Sequence, residues 1–461
     1  MGWAFDGVMR FLVYLAMVCQ RALGKELDSA VGTRVFVPFP IRCRLLHCIG
    51  SLLQEDNYNA TGEEITMKIT NIETFLVDAG WRPWIFVKVE TDEGVTGYGE
   101  CSDGRNPYAV TGAIEDFKPL LLGADPRAYE MRFWDLIRGS RQSPGGIAAK
   151  AIAGIELALI DIKAKALGIS VVELFGGPTR EEVRLYWSHC GTTRVRHADL
   201  MGVPPLRTMA DVTALGKEVV ARGYTALKTN ILLPAGAPDV VFGGFGGGPG
   251  TTDQVVSRQL LRHIETLIGT FRDAVGPEVD INLDLNFNFK PESCMRIAQV
   301  LEQFDLLWLE IDMYDPAAIR QIKDSTTTKI CTGENLFYMR EFIPYFEQRA
   351  ADIFMIDIAW NGFAQSKKIA DLAEVYQLNV APHNYYSHLA TFIGASLCAV
   401  VPNVRIMEID VDDVPWREEL VTNLPVINNG YMQIPTGPGW GTELNEEVAR
   451  AHRWENKKSN W

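Results

Sequence analysis

The chain has 461 residues, 47% of them hydrophobic and 10% aromatic, which is enough for a large buried core and more than one ordinary domain. A net charge of -14 excludes a partner read through its phosphate backbone, because nucleic-acid binders present clustered Lys and Arg. Eight scattered cysteines without a Cys-x-x-Cys pair exclude a disulfide framework and a structural zinc site, and fit the reduced thiols of a cytoplasmic protein.

The first stretch, residues 1–66, looks foreign to the rest. Phe11 to Cys19 is an apolar run behind Arg10, too short to span a bilayer and lacking a clear small-x-small cleavage site. No membrane anchoring or secretion is expected from it. The segment around Arg42, Arg44 and Cys48 has no steady period, whereas strand alternation begins cleanly at Met67. Residues 1–66 are therefore read as an N-terminal extension, with the folded unit starting near Met67.

From Ile69 to Glu100 apolar and polar residues alternate in strand runs, and Asp92-Glu93-Gly94 between them is a hairpin signal. Helical stretches follow, among them Ala148 to Leu167, whose small and apolar residues can pack closely. After Gly176-Gly177-Pro178 strands and helices alternate to the end. Eight strand candidates emerge: Val183–Cys190, Thr225–Ile231, Asp280–Asn286, Leu306–Ile311, Lys329–Glu334, Ile353–Ala359, Asn379–Asn384 and Val404–Asp410. Eight is the number that closes a parallel barrel. Amphipathic stretches such as Met209–Arg222, Ser257–Val275 and Ala364–Tyr376 lie between them. The Gly-rich run Gly243–Gly250 has neither Gly-x-Gly-x-x-Gly nor Gly-Lys-Ser/Thr, so it reads as a loop after the second barrel strand rather than a phosphate cradle.

Polar groups stand at the C-terminal ends of these runs, the face where barrels build their sites. Asp284, Glu310 and Glu334 end three successive strands, roughly 25 residues apart, which is one strand-helix unit. Hard oxygen ligands gathered at one mouth suit Mg²⁺. Lys228, Asp357, His383 and Glu408 occupy four further strand ends. A lysine or histidine at one strand end means little; the ordered set of Lys, three acids, Asp, His and Glu means more.

With that set in view, the chain resembles the enolase superfamily, in its mandelate racemase/muconate lactonizing enzyme-like branch and of the sugar-acid dehydratase type, from Met67 to about the C-terminus. The resemblance implies an α/β fold: an N-terminal α+β capping domain over residues 67–182, a modified TIM barrel, (β/α)₇β, over 183–415, and a C-terminal segment, 416–461, packing back on the cap. It implies Mg²⁺-assisted removal of the proton α to a carboxylate through an enediolate. Asp284, Glu310 and Glu334 match the metal ligands, Asp357 and His383 the histidine–aspartate dyad, and Glu408 the acid that hydrogen-bonds the substrate carboxylate. Lys228 and a protonated Glu408 are expected to stabilise the developing charge, with His383 as base and Asp357 fixing its tautomer.

Departures from the family pattern narrow the reaction. Racemases of the family carry Lys-x-Lys on the second strand, whereas this chain has Lys228-Thr229-Asn230, and asparagine cannot serve as a second base. Elimination of water from a sugar acid, aldonate or aldarate, giving a 2-keto-3-deoxy acid, is therefore expected; a racemase, epimerase or cycloisomerase of the same superfamily is the alternative. Related dehydratases often place a histidine two residues after the first metal ligand, where this chain has Asn286. The acid for the leaving hydroxide then falls to His383, Tyr385, Tyr386, His388 or a metal-bound water. His383 is preferred over His388 as base, because Pro382-His383 ends the strand directly. Asp312 follows Glu310 closely, but it comes round only after the strand has ended and is expected outside the ligand set. Substrate contacts are expected from Asn230, Asn286, Tyr385 and His388, and from Arg82 and Arg105 on two cap loops. A homo-oligomer without membrane or nucleic-acid partners completes the expectation.

Overall fold

The computed structural model describes residues 67–235, 239–241 and 255–455. Both residues 1–66 and the Gly243–Gly250 run lie outside the described residues. The chain opens with three antiparallel strands, Ile69–Asp78, Pro83–Thr91 and Thr96–Glu100, paired in that order. Their turn falls at the expected hairpin, where the Gly94 amide donates to the Thr91 carbonyl at 3.2 Å. Helices Pro107–Leu121, Tyr129–Gly139 and Gly146–Ala166 cover one face. The last of these is buried on most sides, which is why its sequence is small and apolar all round. It lies so close to the third strand that a Cβ on Gly97 would meet the Ala158 carbonyl oxygen at 2.1 Å, and one on Gly99 the Gly154 carbonyl at 2.2 Å.

Eight parallel strands follow: Glu182–Ser188, Ala226–Thr229, Asp280–Asp284, Trp308–Glu310, Ile330–Thr332, Ile353–Asp357, Asn379–His383 and Met407–Asp410. Each pairs with the next through the seventh, and the eighth pairs with the first, Met407 opposite Leu185. The remaining seam, between seventh and eighth, is closed by a Val380–Val404 bridge. After the eighth strand come a short 3₁₀ helix, Arg417–Leu420, and a hairpin, Ile427–Asn428 and Tyr431–Gln433, whose second strand adds antiparallel to the start of the first barrel strand. Beyond it the Trp440 indole donates to the Tyr98 carbonyl at 2.9 Å and the Trp454 amide to the Leu76 carbonyl at 2.8 Å, both in the N-terminal sheet.

The barrel interior is a small cluster that includes Tyr186, Ala226, Trp308, Met355, Ala381 and Ile406. Strand alternation puts residue i+2 on the same face as residue i. Two residues on from these six stand Ser188, Lys228, Glu310, Asp357, His383 and Glu408, so the alternation that fills the core also places these side chains in one layer at its C-terminal mouth.

Candidate active site

Lys228 lies at the centre of that layer. Its Nζ is 2.8 Å from Glu408 Oε1 and 3.2 Å from Glu310 Oε2, with all three groups buried. Burial opposes the charge on Lys228, but Glu310 and Glu408 prevail and raise its pKa well above the ordinary lysine value. Glu408 also accepts from the Ser188 hydroxyl, and from the Asn384 amide at 2.9 Å. Burial works against its charge too, yet Lys228, His383 and His189 outweigh it and hold the carboxyl well below its usual range. Glu408 is therefore ionised here rather than the protonated donor that the sequence suggests, because a buried ammonium beside a carboxylate favours the charged pair.

His383 ends the seventh strand. Its Nδ1 is 2.6 Å from Asp357 Oδ2, which also accepts from the Tyr386 hydroxyl, while Asp357 Oδ1 accepts from the Trp360 amide at 2.9 Å. A carboxylate pinned in this way fixes the ring and places its proton on Nδ1. Nε2 then faces Glu334 Oε2 at 3.3 Å and Glu408 Oε2 at 3.7 Å. Burial alone would lower the imidazole pKa, but Glu334, Glu408 and Asp357 lift it to about 10.

The three expected metal ligands end adjacent strands, with Asp284 and Glu310 direct cross-strand neighbours. Glu334 comes after Gly333, whose φ of 118° allows a turn that ordinary residues rarely make. Asp312, set aside at the sequence level, is buried in the same cluster. Burial and then Asp284 and Glu310 push its carboxyl up to about 8, and burial and then Asp312 push Glu334 to about 8. Glu310, Asp312 and Glu334, each pushed up by burial and by acidic neighbours that include Asp284, form with Asp284 a buried donor set that a divalent cation fits. As they stand they are turned onto neighbours. Asp284 accepts from the Asn286 amide and side chain at 2.7 and 2.9 Å, and Glu310 from the Trp308 indole at 3.1 Å. Among the described residues no three acidic, histidine or cysteine side chains yet converge on one point as a formed metal cage.

A cavity of ≈160 Å³ opens over this layer, lined by Lys228, Asp284, Asn286, Glu334 and His383 from the barrel and by Asp103, Gly104, Arg105 and Asn106 from the loop after the third N-terminal strand. Tyr385 also lines it. Asn230 lies below, bonded to the Thr192 hydroxyl at 2.7 Å and 3.4 Å from the Asp284 carbonyl.

Two expected substrate contacts lie elsewhere. Arg82 is buried outside the lining, its Nη2 3.0 Å from both Asp410 and Asp413, so it ties the loop between the first two strands to the end of the barrel. His388 is the first residue of the helix His388–Val400 and faces a different cavity beside Arg417, because the loop 384–387 carries the chain off the mouth before the helix begins. Four lining residues escaped the sequence reading: His189, Lys150, Asn335 and Trp360. His189 directly follows the first strand and could have been found by the same strand-end rule. Lys150 could not, because it comes from a cap helix; its Nζ reaches Asp103 at 2.7 Å and lies 3.6 Å from the Trp360 ring centroid.

Comparison with known proteins agrees with this fold. Residues 66–176 match the family described as mandelate racemase / muconate lactonizing enzyme, N-terminal domain, and residues 211–448 match enolase C-terminal domain-like. The chain belongs to the mandelate racemase/muconate lactonizing enzyme family of the enolase superfamily. It is 31% identical to a D-xylonate dehydratase from Haloferax volcanii, over 86% of this chain and 92% of that one. With a D-gluconate dehydratase from Thermoproteus tenax it shares 29% over 82% of this chain and 71% of that one. A crystal structure from Burkholderia xenovorans strain LB400, provisionally assigned as an L-alanine-DL-glutamate epimerase and bound to magnesium and fumarate, superposes with a TM-score of 0.83 at 40% identity, covering 85% of this chain and 98% of that one.

Proposed function

We propose that this family member is a Mg²⁺-dependent hydro-lyase that dehydrates a sugar acid to a 2-keto-3-deoxy acid. The observation that carries the reading is a complete His383–Asp357 dyad facing the carboxylate cluster, with Asn230 at the second-strand position where racemases of the family carry a lysine base. The dehydratase relatives support it.

Asp284, Glu310 and Glu334 would hold Mg²⁺, which when bound would neutralise the charge that develops on the substrate carboxylate as the α-proton leaves. His383, relieved of the Glu334 charge that most raises its ring once that carboxylate holds a cation, takes that proton on Nε2, with Asp357 keeping the other ring proton in place and balancing the imidazolium. Lys228, held between Glu310 and Glu408, presents a fixed ammonium beside the same carboxylate. Glu408 acts through Lys228 and His383 rather than by donating a proton. Arg105 and Lys150, on the cap side of the cavity, are the groups for distal hydroxyls. A single water needs roughly 10–15 Å³ by comparison with the cavity's ≈160 Å³, so about a dozen heavy atoms fit, which is the size of a five- or six-carbon sugar acid.

A second reading, epimerisation, draws on the Burkholderia structure. The two separate in D₂O with Mg²⁺ and a panel of mono- and diacid sugars: a hydro-lyase releases keto acid, whereas an epimerase exchanges the α-proton and returns acid of inverted configuration. Keto-acid release from no member of the panel, with exchange present, would overturn the dehydratase reading.

A further inference from the structure

The cavity holds a second histidine–aspartate pair that the base assignment leaves unused. His189 Nδ1 lies 2.8 Å from Asp410 Oδ1 and 3.4 Å from the Ser188 hydroxyl. Asp410 is buried and fixed through its other oxygen by Arg82 Nη2 at 3.0 Å. A carboxylate only accepts, so Nδ1 carries the proton, and Nε2 is the ring nitrogen that Asp410 does not hold. The His189 backbone has φ 46°, in the left-handed region. Strict alternation would turn the residue after Ser188 to the outer wall of the barrel; this turn brings it to the mouth instead. Non-glycine residues held in that region cluster at functional sites. The Trp81 ring at 6.2 Å and the Tyr385 ring at 5.7 Å hold the imidazole from two sides. Tyr385 is also 5.0 Å from His383, so two imidazoles flank one tyrosine, each with its Nδ1 on a buried aspartate.

Dehydration needs an acid as well as a base, because hydroxide leaves poorly without a proton. His383 is given to the base role, and the cavity's further proton-bearing side chains are engaged or unsuited. Lys228 is tied to Glu310 and Glu408, and Lys150 to Asp103. Asn286 carries no acidic proton, and the Arg105 guanidinium does not give one up near neutral pH. Burial pushes the Tyr385 hydroxyl well above its ordinary value.

We propose that His189, as an imidazolium held by Asp410, is the general acid that protonates the departing 3-hydroxyl, a role that rests on the dehydration reading above. His383 takes the proton from C2, and the C–H electron pair, held for a time on the carboxylate, becomes the C2=C3 bond as C3–O breaks. The oxygen's electron pair takes the Nε2 proton of His189 and leaves as water. One water is lost, the enol tautomerises to the 2-keto acid, and solvent resets both rings, His383 losing a proton and His189 regaining one.

The test is His189→Asn, whose amide can still donate to Asp410 but which has no acid to offer. With Mg²⁺ and D-xylonate or D-gluconate in D₂O, keto-acid release should fall by about 10²–10⁴-fold while exchange of the C2 proton, followed by NMR, persists. The 3-deoxy-3-fluoro analogue should rescue the variant, since fluoride leaves without a proton. His189→Gln repeats the measurement should the asparagine variant fail to fold. Keto-acid release at the wild-type rate, or loss of exchange and fluoride elimination together with dehydration, would overturn the assignment. Wild-type exchange with no keto acid from any member of the mono- and diacid panel sinks the dehydration reading itself, and the acid role with it.

Discussion

The end of the seventh barrel strand and the first turn of the helix after it place two histidines five residues apart, both buried, and treat them in opposite ways. His383 faces Asp357, Glu334 and Glu408, and its pKa is lifted to about 10 despite burial. His388 has a buried Nδ1 with no hydrogen-bond partner among the described residues, and Arg417 nearby; burial, then that guanidinium, lowers its pKa well below the ordinary value. Burial is common to both, so the sign of the shift is set by which charges share the buried space. A histidine among anions can take up and stabilise a proton; one beside a cation stays neutral and packs.

That contrast is tested most severely by exchange of the substrate's α-proton. His383→Asn should cut it, and turnover with it, by about 10²–10⁴-fold, while His388→Asn should leave it within a small factor. The reverse outcome would move the base to the helix. Next in size, Glu334→Gln removes both an expected ligand and the charge that most raises His383. Mg²⁺ affinity, measured by titration calorimetry, should weaken by at least about 10–100-fold, the range that losing even an outer partner costs. Unchanged affinity would take Glu334 out of the metal site.

The smaller effects concern stability. Glu156, buried in the helix Gly146–Ala166, accepts from the Phe363 amide at 2.6 Å, and burial raises its pKa to about 8. Between the ordinary value of 4.5 and about 8, the folded state holds a proton that the unfolded chain has lost, so stability falls as pH rises through that window, by at most about 1.4 kcal/mol per pH unit. Glu156→Gln stays neutral throughout. Its Tm should gain on the wild type between pH 5 and pH 8 and then run level; a gap that does not move with pH would show that Glu156 is not protonated in the fold. His388 gives the opposite slope. Below 6.5 the unfolded chain takes up a proton that the folded site refuses, so acidification costs stability, and His388→Gln should remove that part of the acid slope. Parallel pH profiles for variant and wild type would show that His388 does not stay neutral in the fold, and the contrast with His383 would fail.

The barrel strands were legible because a parallel strand buried on both faces is a short apolar run, and because the period of two that fills the interior also marks what stands at the mouth. Strand ends shifted by a residue or three, as at Trp308–Glu310 against an expected Leu306–Ile311. The cap helix was legible for the same reason: a helix packed on all sides is apolar on all sides. Where alternation fails, so did the reading. His189 follows a left-handed turn, and Asp312 is folded back by its amide on the Asn286 carbonyl at 3.2 Å. Arg82 resembled a substrate contact because a loop arginine carries no mark of the two aspartates, more than 300 residues on, that enclose it.

The sequence by itself determined the family, the barrel and the order of charged groups round its mouth, since these follow from local period and from spacing along one chain. Only the tertiary structure decided which of those groups are ionised, which histidine faces the carboxylates, and that a second histidine–aspartate pair shares the cavity. Charge in a buried site depends on neighbours brought together from distant strands through a medium that screens little, and no local stretch of sequence contains that sum.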